Sequence, residues 1–282
     1  MSVDVLATVY EHVNRGGRSR LYGVSAEARY QRADSVDLDS YAMRDLISST
    51  ELFNSSSSDN NLYLFAGDSF DGEFRHLAHA RTGGSRLDNL TDLGFNDRTA
   101  SLVQVATGRG PEFRISFRDA FLDEWNTSID GQLGSDANRT GDPVMRWQAF
   151  PRGISYLDPD LVYLKIHQDL NINIDWWPDY AAWIEYHIRL YLDGANHVQG
   201  YCARWAYWVE GGLKSSGIAD RLQPKVIAGC STLDDRLAAR LGALNFAVHD
   251  LYILPGNQRF VVDEGTESGN VDDDATVVVE LS

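Results

Sequence analysis

The sequence predicts a mainly β protein of two domains, a duplicated β-sandwich over residues 3–106 and an α+β domain over residues 107–282. Three observations predict it. A hairpin-and-loop pattern occurs twice in the first third of the chain, about fifty residues apart. Beyond it, long stretches alternate apolar and polar residues with the period of a strand. Beside those stretches lie segments whose apolar residues recur every three or four positions, the period of a helix. At 282 residues the chain also exceeds what a single core commonly serves.

The clearer copy of the repeat lies between Asn61 and Val105. Phe65-Ala-Gly-Asp-Ser-Phe70-Asp-Gly72 reads aromatic-x4-aromatic-x-Gly between alternating apolar residues. That pattern predicts a folded hairpin in which Gly72 takes a positive φ. Asn96-Asp97-Arg98-Thr99-Ala100-Ser101 is then a polar loop feeding a strand, Ser101 to Val105. Upstream, Tyr10-Glu-His-Val-Asn-Arg15-Gly-Gly17 has the same hairpin frame 55 positions earlier. Arg44-Asp45-Leu46-Ile47-Ser48-Ser49 precedes the second polar loop by 52 positions and leads into strand-like Thr50–Phe53. Residues 18–42 read as a charged loop, 54–61 as a polar linker, and Thr107-Gly-Arg-Gly-Pro111 as the domain boundary.

The order and spacing of these pieces resemble the two Greek-key motifs of the βγ-crystallin family, with their Y/F-x4-F-x-G hairpin and N/D-N/D-x-x-S/T-S loop. In that family each loop helps to bind one Ca²⁺, a hard cation that takes six to eight oxygen ligands. Carried onto this chain, the resemblance implies one site from the Leu46 carbonyl and Ser48 hydroxyl, with Ala66 opposite. A second would use the Arg98 carbonyl with Glu11 opposite, and Asp45 and Asp97 would stand close by. The chain departs from the family pattern at three points. Ala100 replaces a loop hydroxyl, Arg44 replaces an Asn or Asp, and Ala66 removes the hairpin acid. The expected affinity is therefore weak, at the high-micromolar to millimolar end of the calcium scale.

In the second domain Ser116 is positioned to cap a helix carrying Phe117, Phe121, Trp125, Ile129 and Leu133, with Asp119 at the third helical position. Val162 to Ile174 alternates except at Gln168, which predicts one long strand or a bend at Gln168-Asp169. Trp183–Leu192 and Val198–Val209 form a hairpin around Asp193-Gly194. Ser216–Ala228, interrupted by Pro224, reads as one helix, and Thr232 caps a second bearing Leu233, Leu237, Leu241 and Leu244. Val248–Leu254, Arg259–Val262 and Ala275–Leu281 read as strands, joined by an acidic loop from Asp263 to Asp274. That acidic run reads as a solvated charge cluster. The expected fold of this half is an antiparallel meander packed with helices.

Composition narrows the partners. A net charge of −16 excludes nucleic-acid backbones and anionic membranes as electrostatic partners. No stretch is long and apolar enough to predict a transmembrane helix. The first residues lack the features of a signal peptide, so the expected setting is cytoplasmic or that of a mature secreted chain. Cys202 and Cys230 allow either one bridge or two free thiols.

Catalytic signatures are sparse. His76 and His79 read as a half-exposed pair rather than a zinc site. Glu185 and His187 share one side of their strand and Arg204 lies on one side of its partner, so a carboxylate–imidazole–guanidinium cluster forms if the register aligns them. Trp176, Trp177, Trp183, Trp205 and Trp208 crowd the same region and fill a core or line a pocket. The leading functional expectation is a non-enzymatic βγ-crystallin-like protein with weak Ca²⁺ sites, whose α+β domain binds a protein partner or a small apolar ligand. The alternatives are a carrier of lipid or another hydrophobic ligand, a membrane-active toxin-like protein, and an enzyme working from the Glu185, His187 and Arg204 face.

Overall fold

A computed structural model describes residues 3–25, 28–54, 57–81, 83–150, 162–174, 179–241, 248–262 and 264–281. Trp176, Trp177, Leu244 and Asp263 lie outside them. The chain is mainly β, 51% strand against 21% helix, in antiparallel sheets, as the alternating patterns predict. It forms two compact units.

The first unit starts with β1 (Val3–His12), β2 (Gly16–Ser25), β3 (Tyr30–Ala33), helix α1 (Ser35–Ser40) and β4 (Ser49–Asn54). It continues with β5 (Asp59–Phe65), β6 (Glu73–His79), β7 (Gly84–Asn89) and β8 (Ser101–Thr107). One sheet has the order β2-β1-β4-β7, and the other contains β6-β5-β8-β3. Each sheet thus draws three strands from one half of the repeat and its fourth from the other. Leu52, Leu62, Leu64, Leu77, Phe95 and Leu102 fill a core from both halves. Residues 18–42, expected as loop, hold most of β2, all of β3 and α1. Both strands sit at sheet edges with mostly half-exposed side chains, so they carry little apolar alternation to betray them.

The repeat extends to backbone detail. Gly17 and Gly72 have φ of +74° and +75°, and Arg15 and Phe70, also 55 apart, have φ of 66° and 60°. In the first hairpin the Ser49 hydroxyl accepts the Arg15 N–H at 3.3 Å and donates to the His12 carbonyl at 2.7 Å. In the second, Ser101 accepts the Phe70 N–H at 3.0 Å and donates to the Gly67 carbonyl at 2.6 Å. The loops reciprocate: Asp45 N–H donates to the Thr99 carbonyl at 2.9 Å, and Asp97 N–H to the Ile47 carbonyl at 3.2 Å.

The second unit is built from β9 (Glu112–Ser116), α2 (Phe117–Leu133), β10 (Ala137–Arg139), β11 (Val144–Ala149), β12 (Val162–Ile172), β13 (Tyr180–Leu192), β14 (Val198–Val209), α3 (Ser215–Leu241) and β15 (Val248–Pro255). Ser116 caps α2, its hydroxyl accepting the Asp119 N–H at 3.0 Å. β12 is unbroken across Gln168, which is buried and accepts the Trp125 indole N–H at 3.2 Å. A polar residue in the apolar phase is tolerated there because α2 supplies its partner. Tyr186 of β13 packs edge-on against Trp125 and donates its hydroxyl to the Val226 carbonyl of α3 at 3.0 Å. Cys202 and Cys230 form a disulfide between β14 and α3, with Cα atoms 5.6 Å apart.

Two helices were expected where α3 runs continuously. Ile218, Leu222, Val226, Leu233 and Leu237 form one buried stripe that carries the helix through Pro224. Thr232 caps nothing; its hydroxyl donates back to the Ala228 carbonyl at 2.9 Å, within the helix.

The C-terminal segment differs most from expectation. Arg259–Val262 is not a strand, and Phe260 is 81% exposed. Instead the supposed acidic loop contains β16 (Gly265–Asn270), which pairs with β6 of the first unit, before β17 (Ala275–Leu281) returns to pair with β15. Residues 260–271 therefore pack in the first unit although they belong to the stretch expected in the second domain. The pairing involves side chains as well as backbone. Glu267 meets the His76 Nδ1 at 3.2 Å, and Glu264 meets the His79 Nδ1 at 3.1 Å. Those histidines are buried, not half-exposed, and His76 stacks on Tyr63.

Ser101→Ala removes one hydroxyl that serves two backbone groups, the buried Phe70 N–H and the half-buried Gly67 carbonyl. Loss of these bonds is expected to destabilise the protein by roughly 2–3 kcal/mol, read as a lower urea midpoint at unchanged m-value.

Candidate functional site

The polar loop of the first half turns sharply at Asp45, whose φ is 53°; its counterpart Asp97 has φ 54°. These turns aim loop oxygens at the hairpins. Ser48 Oγ lies 2.7 Å from the Glu11 carbonyl, 3.0 Å from Asp97 Oδ1 and 3.5 Å from the Leu46 carbonyl. A hydroxyl has one hydrogen, so it satisfies one of these three acceptors at a time. Of the three oxygens facing Ser48 Oγ, Asp97 Oδ1 lies in the range of neighbouring ligands around a cation, about 2.9–3.4 Å for bonds near 2.4 Å at roughly 75–90°, while the Glu11 carbonyl is closer and the Leu46 carbonyl slightly farther. Leu46 and Asp97 are exposed, which leaves the group open to water.

The structure groups the loop residues differently from the expected assignment. Ser48 and Leu46 meet Glu11, not Ala66. The Glu11 contribution is its carbonyl alone, because its carboxylate is held by Arg18 Nε at 3.0 Å and Nη2 at 2.9 Å. Those hydrogen bonds keep the Glu11 carboxyl down at about 2.

The second loop has the same backbone and a different chemistry. By the repeat, Ala100 stands for Ser48, Ala66 for Glu11 and Arg98 for Leu46, so the hydroxyl at the centre is gone. Asp45, the counterpart of Asp97, is instead engaged by Arg44 Nε at 3.5 Å. Arg44 also reaches Asp68 at 2.6 Å and Asp39 at 3.3 Å, so its guanidinium fills the acidic surroundings of this loop. Arg98 turns its own side chain to Glu73 at 2.6 Å. Among the described residues, no group of three or more His, Cys, Asp or Glu side chains is placed to hold a metal, and the oxygens gathered at the first loop are one carboxylate with carbonyls and a hydroxyl.

In the second unit, register brings the predicted polar cluster together. His187 lies directly opposite Arg204 across β13 and β14, and opposite Lys165 across β13 and β12. Glu185 sits one pair further on, opposite His167. Its carboxylate contacts Lys165 Nζ at 2.6 Å, His187 Nε2 at 3.3 Å and His167 Nδ1 at 3.4 Å. Burial pushes the Glu185 carboxyl up, but the His167 and Lys165 hydrogen bonds and the Lys165 charge outweigh it and hold it at about 2. His187 is buried, which drives it down to about 4 and keeps it neutral; Lys165, Arg204 and Arg146 act in the same direction and Glu185 opposes them. The Glu185 carboxylate thus forms an ion pair with Lys165 and has two imidazoles as further neighbours. Sequence reasoning named three members of this cluster. Lys165 and His167 alternate with the apolar residues of the same predicted strand, but their place beside Glu185 is revealed only by the strand pairing.

The chain matches no family model, no curated protein and no solved structure.

Both groups link stability to pH in one direction. Unfolded, His187 binds a proton below its ordinary 6.5, whereas folded it resists until about 4. Stability is therefore present above that window and lost as pH falls from about 6.5 towards 4, on the order of 3 kcal/mol. Glu185, lowered from 4.5 to about 2, adds a second loss below about pH 4.5. In His187→Gln the first loss should vanish from a series of urea midpoints between pH 7 and 4, and the second should persist.

Proposed function

We propose that the chain is a non-enzymatic calcium-binding protein, its first unit a βγ-crystallin-like double Greek key with one weak Ca²⁺ site. The site uses the Ser48 hydroxyl, the Glu11 and Leu46 carbonyls and the Asp97 carboxylate. The observation that carries this reading is the crowding of three acceptor oxygens around the single hydroxyl hydrogen of Ser48. A cation among them turns lone-pair repulsion into coordination. Two further features support the Greek-key assignment. In each half the fourth strand returns to lie beside the first, and the hairpin and loop geometries superpose on the repeat spacing seen in the sequence.

Affinity should be low. Four protein oxygens, one of them from a carboxylate, leave at least two positions to water, which places the site near the millimolar end of the calcium scale. The second loop is assigned no ion, since Ala100 brings no side-chain oxygen and Arg44 already neutralises its carboxylates.

Addition of about 10 mM CaCl₂ should raise the melting temperature by roughly 3–6 °C, from a binding term of about 1–2 kcal/mol. Equimolar MgCl₂ should do less, because Mg²⁺ needs tighter octahedral geometry. Ser48→Ala and Asp97→Asn should each abolish the shift. No calcium-dependent shift in the parent protein, or an undiminished one in both variants, refutes the assignment.

A further inference from the structure

The second unit contains a cavity unrelated to the polar face just described. About 730 Å³ in volume, it lies between the end of α2, β10, the end of β12 and the first half of α3. That volume falls in the range of small-molecule sites. Its apolar lining includes Leu133, Ala137, Ile172, Ile218 and Leu222, all largely buried, together with Ile174 and Leu213.

The charges around it run against the rest of the molecule. Acidic residues outnumber basic ones 41 to 25 in the whole chain, yet among the described residues the lining of this cavity carries Lys214, which has a partner of its own, Arg221 and Lys225 against Asp136. Lys225 has a structural task. It pairs with Asp136 at 3.1 Å and donates to the Gln132 and Leu133 carbonyls at 3.2 and 3.4 Å, neutralising the C-terminal end of α2. Arg221 makes no ion pair among the described residues, and its planar fork suits a carboxylate. Leu213, next to Lys214 on the rim, is 87% exposed, more than any other large apolar side chain described. An apolar floor, a cationic rim and an apolar residue at the entrance together specify a ligand with one long apolar chain and one anionic end.

We propose that this cavity binds a single-chain amphiphile with a carboxylate head, the chain lying on Leu133, Ile172, Ile218 and Leu222 and the head at Arg221 and Lys214. The inference goes beyond the calcium reading and does not depend on it, since its residues belong to the other unit.

The test is calorimetric titration of the full chain with dodecanoate below its micellar concentration, with dodecanol as the uncharged control of equal length. Dodecanoate should bind at one saturable site with a Kd on the order of micromolar. Dodecanol should bind about tenfold or more weakly, and the variant carrying Lys214→Gln and Arg221→Gln should lose about tenfold for dodecanoate only. Both substituted positions are exposed, and an unchanged urea midpoint in that variant excludes misfolding. Three results overturn the proposal: no saturable dodecanoate binding, equal binding of dodecanol, or parent-like dodecanoate affinity in the double variant.

Discussion

One serine hydroxyl at the foot of each folded hairpin carries the architecture of the first unit. Arg15 and Phe70 are held at positive φ, a conformation that costs a non-glycine residue about 1–3 kcal/mol. Ser49 and Ser101 offset that cost by taking the N–H of the strained residue and donating to a carbonyl three residues earlier. Both serine side chains are 0% exposed, which strengthens the bonds they make. Because each serine begins the last strand of its half, the same bonds fix hairpin to sheet. The Glu11 carbonyl, immediately before the carbonyl that Ser49 holds, is thereby delivered to Ser48.

On this shared backbone the two loops have diverged in chemistry. Backbone geometry is nearly the same, down to the left-handed aspartates and the reciprocal loop hydrogen bonds. What differs is a hydroxyl at Ser48 against a methyl at Ala100, and an arginine beside Asp45 where Asn96 precedes Asp97. Since a tenfold change in affinity is only about 1.4 kcal/mol, one oxygen gained or lost is enough to separate a binding loop from a purely structural one. Arg44 goes further. It places a fixed positive charge among Asp39, Asp45 and Asp68, which is the electrostatic work a bound cation would do.

The second unit separates its labours between the two faces of one sheet. One face, with Ile184, Tyr186 and Ile188, packs against α2 and α3 and is tied to α3 by the Cys202–Cys230 disulfide. The other gathers Lys165, His167 and His187 around the Glu185 carboxylate, with Arg204 directly across from His187. Burying such charges is favourable only when they are mutually paired, which is why register matters so much here. A slip of one residue between β13 and β14 would carry Arg204 to the helix side and leave it without a partner.

By itself, the sequence determined whatever is written locally. The duplicated hairpins, the turn glycines at Gly17 and Gly72, the Ser116 cap and the long alternating strands follow from residues a few positions apart, because the backbone conformations they need are set by neighbours. Ser48 and Asp97 were legible as loop oxygens for the same reason. Tertiary structure alone decided which carbonyl meets Ser48, that Arg44 turns to Asp45 and Asp68, and that Lys165 and His167 join Glu185. It also decided that β16 leaves its own half of the chain to lie on β6, where Glu264 and Glu267 find His79 and His76. A polar edge strand and an ion pair between distant residues have no periodicity of their own. Their energy comes from a partner that only folding brings within reach.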